Sequence, residues 1–239
     1  MRTLFAAIVV LCLGAPGALL PDRAHAQGDN PVVVELFTSQ GCSSCPPADA
    51  FLAQLAEQRD DVIALALHVD YWDYIGWPDR FAQHAFTKRQ KGYARAGGWK
   101  TLYTPQAVID GQHHAVGSRT GQVSALVDQH AARPSPVALE IARDGETLQI
   151  RAMPKDGPVG PVDVHVVRYT DSAEVDIPSG ENAGKRLTYT HIVEEWDVAA
   201  RWDGTGEFTA AVPVTGPAGV VVLVQSAGYG PILAAARLR

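Results

Sequence analysis

The sequence predicts an α/β layer domain followed by a smaller all-β, sandwich-like domain. Three observations carry this. Between residues 32 and 132, short apolar runs rich in β-branched residues alternate with amphipathic helical stretches. Pro134-Ser135-Pro136 then breaks the chain. Beyond it come short alternating runs at fairly even spacing, separated by turn formers, which is the pattern of a sandwich. The expected division is a leader over 1–26, an α/β domain over 27–133 with a helical insertion at about 71–100, and a β domain over 134–239.

The elements follow in order. Residues 1–26 join Arg2, an apolar stretch from Leu4 to Leu20 and the small-x-small end Ala24-His25-Ala26, which is the pattern of a cleaved secretory signal. The expected location is therefore periplasmic or secreted, with no membrane span after cleavage. Val32 to Phe37 reads as a buried strand and Thr38 to Gly41 as a turn. A helix runs from Cys45 to about Arg59, with Pro46 and Pro47 in its first turn, where missing N–H groups cost nothing. Val62 to Val69 is a second strand. The aromatic and basic stretch from Asp70 to Lys100 reads as one or two inserted helices, with Arg89, Lys91 and Arg95 on a wet face. Leu102 to Asp110 returns to strand, and Thr120 to Ala132 is helical. The β domain opens with Val137–Ala142 and Thr147–Ala152 about an Asp-Gly turn. Runs at Val162–Thr170, Arg186–Val193, Glu207–Val214, Val220–Gln225 and Ile232–Leu238 follow.

Chemistry is concentrated at Cys42-Ser43-Ser44-Cys45, between the first strand and the first helix. The chain has three cysteines, and the third, Cys12, lies in the leader. A bridge across two residues closes so short a loop that it removes little chain entropy, so the pair is placed better for reactivity than for stabilisation. A helix N-terminus favours a thiolate. Cys42, in the turn, is expected to be the exposed attacking thiol and Cys45 the resolving one, with the hydroxyls of Ser43 and Ser44 within reach of sulfur.

The strand–Cys-x-x-Cys–helix entry, with Thr104-Pro105 opening a later strand, resembles the thioredoxin fold. That resemblance implies a substrate-binding role for Thr104 and Pro105 beside the dithiol. A more specific resemblance lies in Val34–Asp49, His68–Tyr74, Tyr103–Gln106 and Gly180–Lys185. Through these the chain is similar to the exported, thioredoxin-like family DUF1223, of unknown function. No tryptophan precedes Cys42, which departs from ordinary thioredoxins.

Other residues complete the candidate site. Glu35, within the first strand, is a candidate proton relay to Cys45. Tyr71 and Trp72, after the second strand, are candidate substrate contacts. The stretches Asp171–Asp176 and Gly180–Lys185 read as loops able to cover the site. The function expected is thiol–disulfide exchange on a protein or small thiol substrate, with a separate redox partner and no bound cofactor or metal. Two alternatives stand beside it. One is copper or zinc binding by the cysteines with His113 or His114. The other is a binding module with a structural disulfide. A formal net charge of −6 without a basic stripe argues against nucleic acid.

Overall fold

The computed structural model describes residues 31–238, so the expected leader and Cys12 lie outside the described residues. The elements are β1 (Val32–Thr38), α1 (Pro46–Gln58), β2 (Val62–His68), a short 3-10 turn (Asp73–Ile75), α2 (His84–Gly97), β3 (Gln106–Ile109), β4 (His113–Val116) and α3 (Thr120–Ala131). Then come β5 (Val137–Asp144), β6 (Thr147–Pro154), β7 (Val162–Ile177), β8 (Lys185–Trp202), β9 (Phe208–Pro213), β10 (Gly219–Ser226) and β11 (Ile232–Leu238). No helix among the described residues is long and apolar enough to cross a membrane.

Strands from both parts of the chain form one mixed sheet of eight, ordered β11-β10-β7-β8-β2-β1-β3-β4. β1 and β2 pair in parallel from Val32↔Val62 to Thr38↔His68. β8 joins them through the single parallel pair Ala66↔Ile192. The sheet curls until its ends meet: Ile232 N, at the start of β11, donates to Asp110 O beyond β3 at 2.9 Å. Inside the curl, Val33, Phe37, Ile63 and Leu65 pack with Val167, Val221, Leu223 and Ala235, together with Phe86 and Tyr93 of α2. On the other face, α1 and α3 cover Val34, Leu36, Ala64 and Ile109. A second sheet, ordered β5-β6-β9, covers Val164, Val166, Val220 and Val222. This alternation of Val33, Glu35 and Phe37 with Val34 and Leu36 is the two-residue period of a strand buried on both faces.

The expected fold class is therefore corrected. The protein is mostly β, built on a large mixed sheet with a three-stranded sheet against it. It is not a helix-inserted α/β thioredoxin-like domain followed by a separate sandwich. The strands expected at Val162–Thr170 and Arg186–Val193 are parts of much longer ones, which pair from Val162↔Trp202 to Ile177↔Lys185. That long hairpin joins the C-terminal strands to the N-terminal sheet. Its tip returns to the cysteines.

Candidate functional site

The turn after β1 is built from its own backbone. Cys42 N donates to Ser39 O and Cys45 N to Cys42 O, both at 3.2 Å, and Ala48 N and Asp49 N both donate to Cys45 O. Pro46 and Pro47 take the first helical positions, where no N–H is needed. Cys42 and Cys45 form a disulfide with Cα atoms 5.4 Å apart. Ser44 Oγ lies 3.4 Å from Cys42 Sγ.

Both cysteines are fully buried, while Ser43 and Ser44 are exposed. This corrects the expectation of an exposed Cys42. Two segments enclose the pair. The first is the loop after β2: a side chain at Gly41 would meet Trp72 Cβ at 3.2 Å and Ile75 Cδ1 at 3.3 Å, so only glycine fits without a shift. The second is the β7–β8 tip. Asn182 Nδ2 donates to Gln40 O and Cys42 O at 2.9 and 3.0 Å, and Ser43 N donates to Glu181 Oε2 at 3.2 Å. Ser43, through its hydroxyl first and this N–H second, holds the Glu181 carboxyl below its ordinary range. Lys185 Nζ in turn holds Asn182 Oδ1 at 2.8 Å. Gln40 is fixed from the loop side, its N donating to Asp79 Oδ2 and its Oε1 accepting from Trp77 Nε1, both at 2.8 Å.

The other expected residues fall into two groups. Trp72 Nε1 donates to Thr104 Oγ1 at 2.7 Å, and the Thr104–Pro105 bond is cis. Pro105 Cβ and Ala48 Cβ both lie beside Gly117, so this loop abuts the first turn of α1. Tyr71 is turned to Gln90, which its hydroxyl reaches at 3.2 Å, and burial raises that hydroxyl to about 12. Glu35 stands apart from the cysteines. It shares the inner face of β1 with Val33 and Phe37, opposite the face that α1 covers. Its carboxylate accepts from Arg89 Nε at 2.6 Å, from Arg89 Nη2 at 2.9 Å and from Tyr93 Oη at 2.5 Å. Arg89, expected on a wet face, is 5 % exposed, with its guanidinium 3.7 Å over the Trp196 ring.

The histidines turn elsewhere. His113 Nδ1 lies 2.8 Å from His130 Nε2, whose Nδ1 lies 2.8 Å from Asp110 Oδ2, and His114 Nδ1 lies 2.9 Å from Tyr103 Oη. No three His, Cys, Asp or Glu side chains gather as a metal site among the described residues.

One group escaped the sequence reading. Asp49, in the first turn of α1, is 7 % exposed, and no protein group makes a well-formed hydrogen bond to either of its oxygens. Burial raises its carboxyl to about 7; His68 and the Thr38 hydroxyl oppose the rise and Asp79 adds to it. Asp49 also lines a groove of about 350 Å³ between α1 and β8, with Pro46, Ala53, Leu187 and Tyr189. The available signal was its place four residues after Cys45, on one side of a helix.

A curled mixed sheet carrying a short-loop disulfide at a helix start, closed over by a distant hairpin, defines the class of the molecule. The chain belongs to DUF1223, described as a protein of unknown function, whose family model matches residues 33–225. It is similar to the crystal structure of an Agrobacterium tumefaciens protein solved as a structural-genomics target. The identity is 34 %, the TM-score 0.75, and the match covers 89 % of this chain and 96 % of that one. HBP35 of Porphyromonas gingivalis shares the fold at 14 % identity, with a TM-score of 0.60 and 90 % and 76 % of the two chains covered. No curated protein matched the chain.

Proposed function

We propose that the chain is an exported thiol–disulfide oxidoreductase acting through Cys42 and Cys45. The observation that carries the reading is the disulfide itself: it spans three positions at the start of α1 and joins the only two cysteines among the described residues. A bridge over so short a loop contributes little by restricting the unfolded chain. In the reaction, a substrate thiolate attacks Cys42 Sγ. A mixed disulfide forms, the Cys42–Cys45 bond breaks, and its electron pair leaves on Cys45 Sγ. A second substrate thiolate then attacks the substrate sulfur, releasing Cys42 and leaving the substrate oxidised by two electrons. The reverse sequence reduces a substrate disulfide. Trp72, Thr104 and Pro105 are the substrate contacts in this reading, and an outside redox partner resets the pair.

The test is capture. Cys45→Ser, expressed with its leader, is expected to accumulate mixed disulfides through Cys42 that dissolve on reduction. Failure to trap any thiol, together with an ordinary Cys42 thiol pKa in the reduced protein, sinks the reading.

The complete burial of both sulfurs favours a second reading, a binding module with a structural disulfide. Reduction under native conditions separates the two. A dithiol opens an exchange-active pair well below the denaturant concentration that unfolds the chain, whereas a structural bridge opens only with unfolding.

A further inference from the structure

Exchange at a buried pair raises a problem that Glu35 does not solve. When the disulfide opens, Cys45 leaves as a thiolate with none of its surface exposed to water, and an unpaired buried charge is costly. The charge is relieved by a proton from within the protein. Glu35 lies on the wrong face of β1 and is already held by Arg89.

Asp49 is differently placed. It follows Cys45 by one helical turn, and its N–H donates to Cys45 O at 3.1 Å, so the two side chains share a side of α1. Beneath it lies a buried polar cluster drawn from four separate segments. Thr38 ends β1, His68 ends β2, Asp79 follows the 3-10 turn, and Tyr189 comes from β8. His68 Nδ1 is 2.6 Å from Asp79 Oδ2, and the His68 and Tyr189 rings have centroids 4.9 Å apart. Five atoms here have no well-formed hydrogen bond: Thr38 Oγ1, both Asp49 carboxylate oxygens, His68 Nε2 and the Tyr189 hydroxyl. Buried polar atoms are rarely left in this way, and such clusters mark sites with a task.

We propose, on the exchange reading, that Asp49 is the internal proton donor and acceptor for Cys45, with His68, oriented by Asp79, supporting the charge Asp49 acquires. As the S–S bond breaks, the Asp49 carboxyl gives its proton to the departing Cys45 Sγ and becomes a carboxylate. On closure, the carboxylate takes the proton back as Cys45 Sγ attacks the mixed disulfide at Cys42 and expels the substrate thiolate. The groups facing Asp49 are His68, Asp79, Tyr189 and the Thr38 hydroxyl, and Arg186 of β8, paired with Asp176, lines the groove beside it. Burial holds the carboxyl near neutrality, where transfer in both directions is cheap.

The experiment compares the protein with Asp49→Asn and Asp49→Glu. Closure of the reduced pair by a small aromatic disulfide is followed from pH 5 to 9. The native chain is expected to show an inflection near pH 7. Asp49→Asn is expected to lose it, closing at least tenfold slower at pH 7 and recovering toward pH 9. Asp49→Glu should keep a shifted inflection. A merely structural Asp49 would change thermal stability and leave the inflection in place, and that result overturns the proposal. Carboxyl infrared absorption of the native protein supplies a readout without turnover: the protonated Asp49 band should weaken when the disulfide is opened chemically. An unchanged band also overturns the proposal. A native protein that does not react with the aromatic disulfide at all instead removes the exchange reading on which the proposal rests.

Discussion

The side-chain amide of Asn182 donates to the carbonyl oxygen of Cys42 at 3.0 Å, across 140 positions of sequence. The same amide holds Gln40 O, so one residue at the tip of the β7–β8 hairpin ties the backbone on either side of Gly41, where the chain enters the dithiol turn. Access to the buried sulfurs requires this tip, or the Trp72–Ile75 loop, to move. Asn182→Ala removes both bonds and leaves two carbonyls without that donor, at a cost of about 1–3 kcal/mol. Opening of the disulfide by a small dithiol under native conditions should be several-fold faster in the variant, and thiol labelling with mass spectrometry measures it. An unchanged rate would show that the tip does not control access.

A second prediction concerns the inner face of the sheet. Glu35 and Arg89 are both buried, and Tyr93 and Gln225 complete their hydrogen bonds. Removing one member of such a pair strands a charge, whereas removing both does not. Arg89→Met should therefore lower stability by about 3–5 kcal/mol, and Glu35→Gln with Arg89→Met should recover much of that loss. Denaturant unfolding of the single and double variants tests this. Equal losses in both would mean that packing over Trp196, rather than charge pairing, is what Arg89 contributes.

These two relationships mark where sequence reading stopped. The turn, Cys42 and Cys45, the prolines behind them and the helix they open are local, and local patterns carry them. The strand at Val62–His68 and the Asp-Gly hairpin of β5 and β6 were readable for the same reason. The sheet order was not, because β8 meets β2 through one residue pair and no periodicity announces it. Arg89 looked solvated because a lone helical stretch does not reveal that a sheet curls around it. Gly180–Lys185 was visible as a polar loop. That Asn182 within it reaches Cys42 depends on how far β7 and β8 extend, which their interrupted apolar pattern understated.

A third prediction follows from Asp49 as a stability statement, independent of exchange. Its carboxyl is raised from the ordinary 3.8 to about 7 by burial. The folded state therefore binds a proton that the unfolded chain gives up, and stability falls as pH rises from about 4 to about 7. The slope approaches about 1.4 kcal/mol per pH unit, so the full effect is about 4 kcal/mol at most. Asp49→Asn should match the native protein near pH 4 and exceed its stability at pH 8. Urea midpoints at the two pH values provide the check, and a variant less stable at pH 8 would contradict the direction.

The fourth prediction has the opposite sign. His165, on β7, is 6 % exposed; burial, with repulsion from Arg89, lowers its imidazole to about 3. Its Nδ1 accepts from Trp196 Nε1 at 3.1 Å, a bond that requires this nitrogen to be unprotonated. The unfolded chain takes up a proton near pH 6.5 while the folded one resists it. This contribution is therefore complete above about pH 6.5 and is lost as pH falls toward 3, at up to about 1.4 kcal/mol per unit. His165→Gln keeps an acceptor for Trp196 and cannot titrate. The difference between variant and native unfolding free energies should move in the variant's favour as pH drops from 7 to 4. For Asp49→Asn the difference moves in the variant's favour as pH rises over the same interval. The two substitutions thus separate opposing trends that partly cancel in the native protein. Parallel curves for His165→Gln and the native chain would mean that the imidazole reaches solvent before the fold gives way.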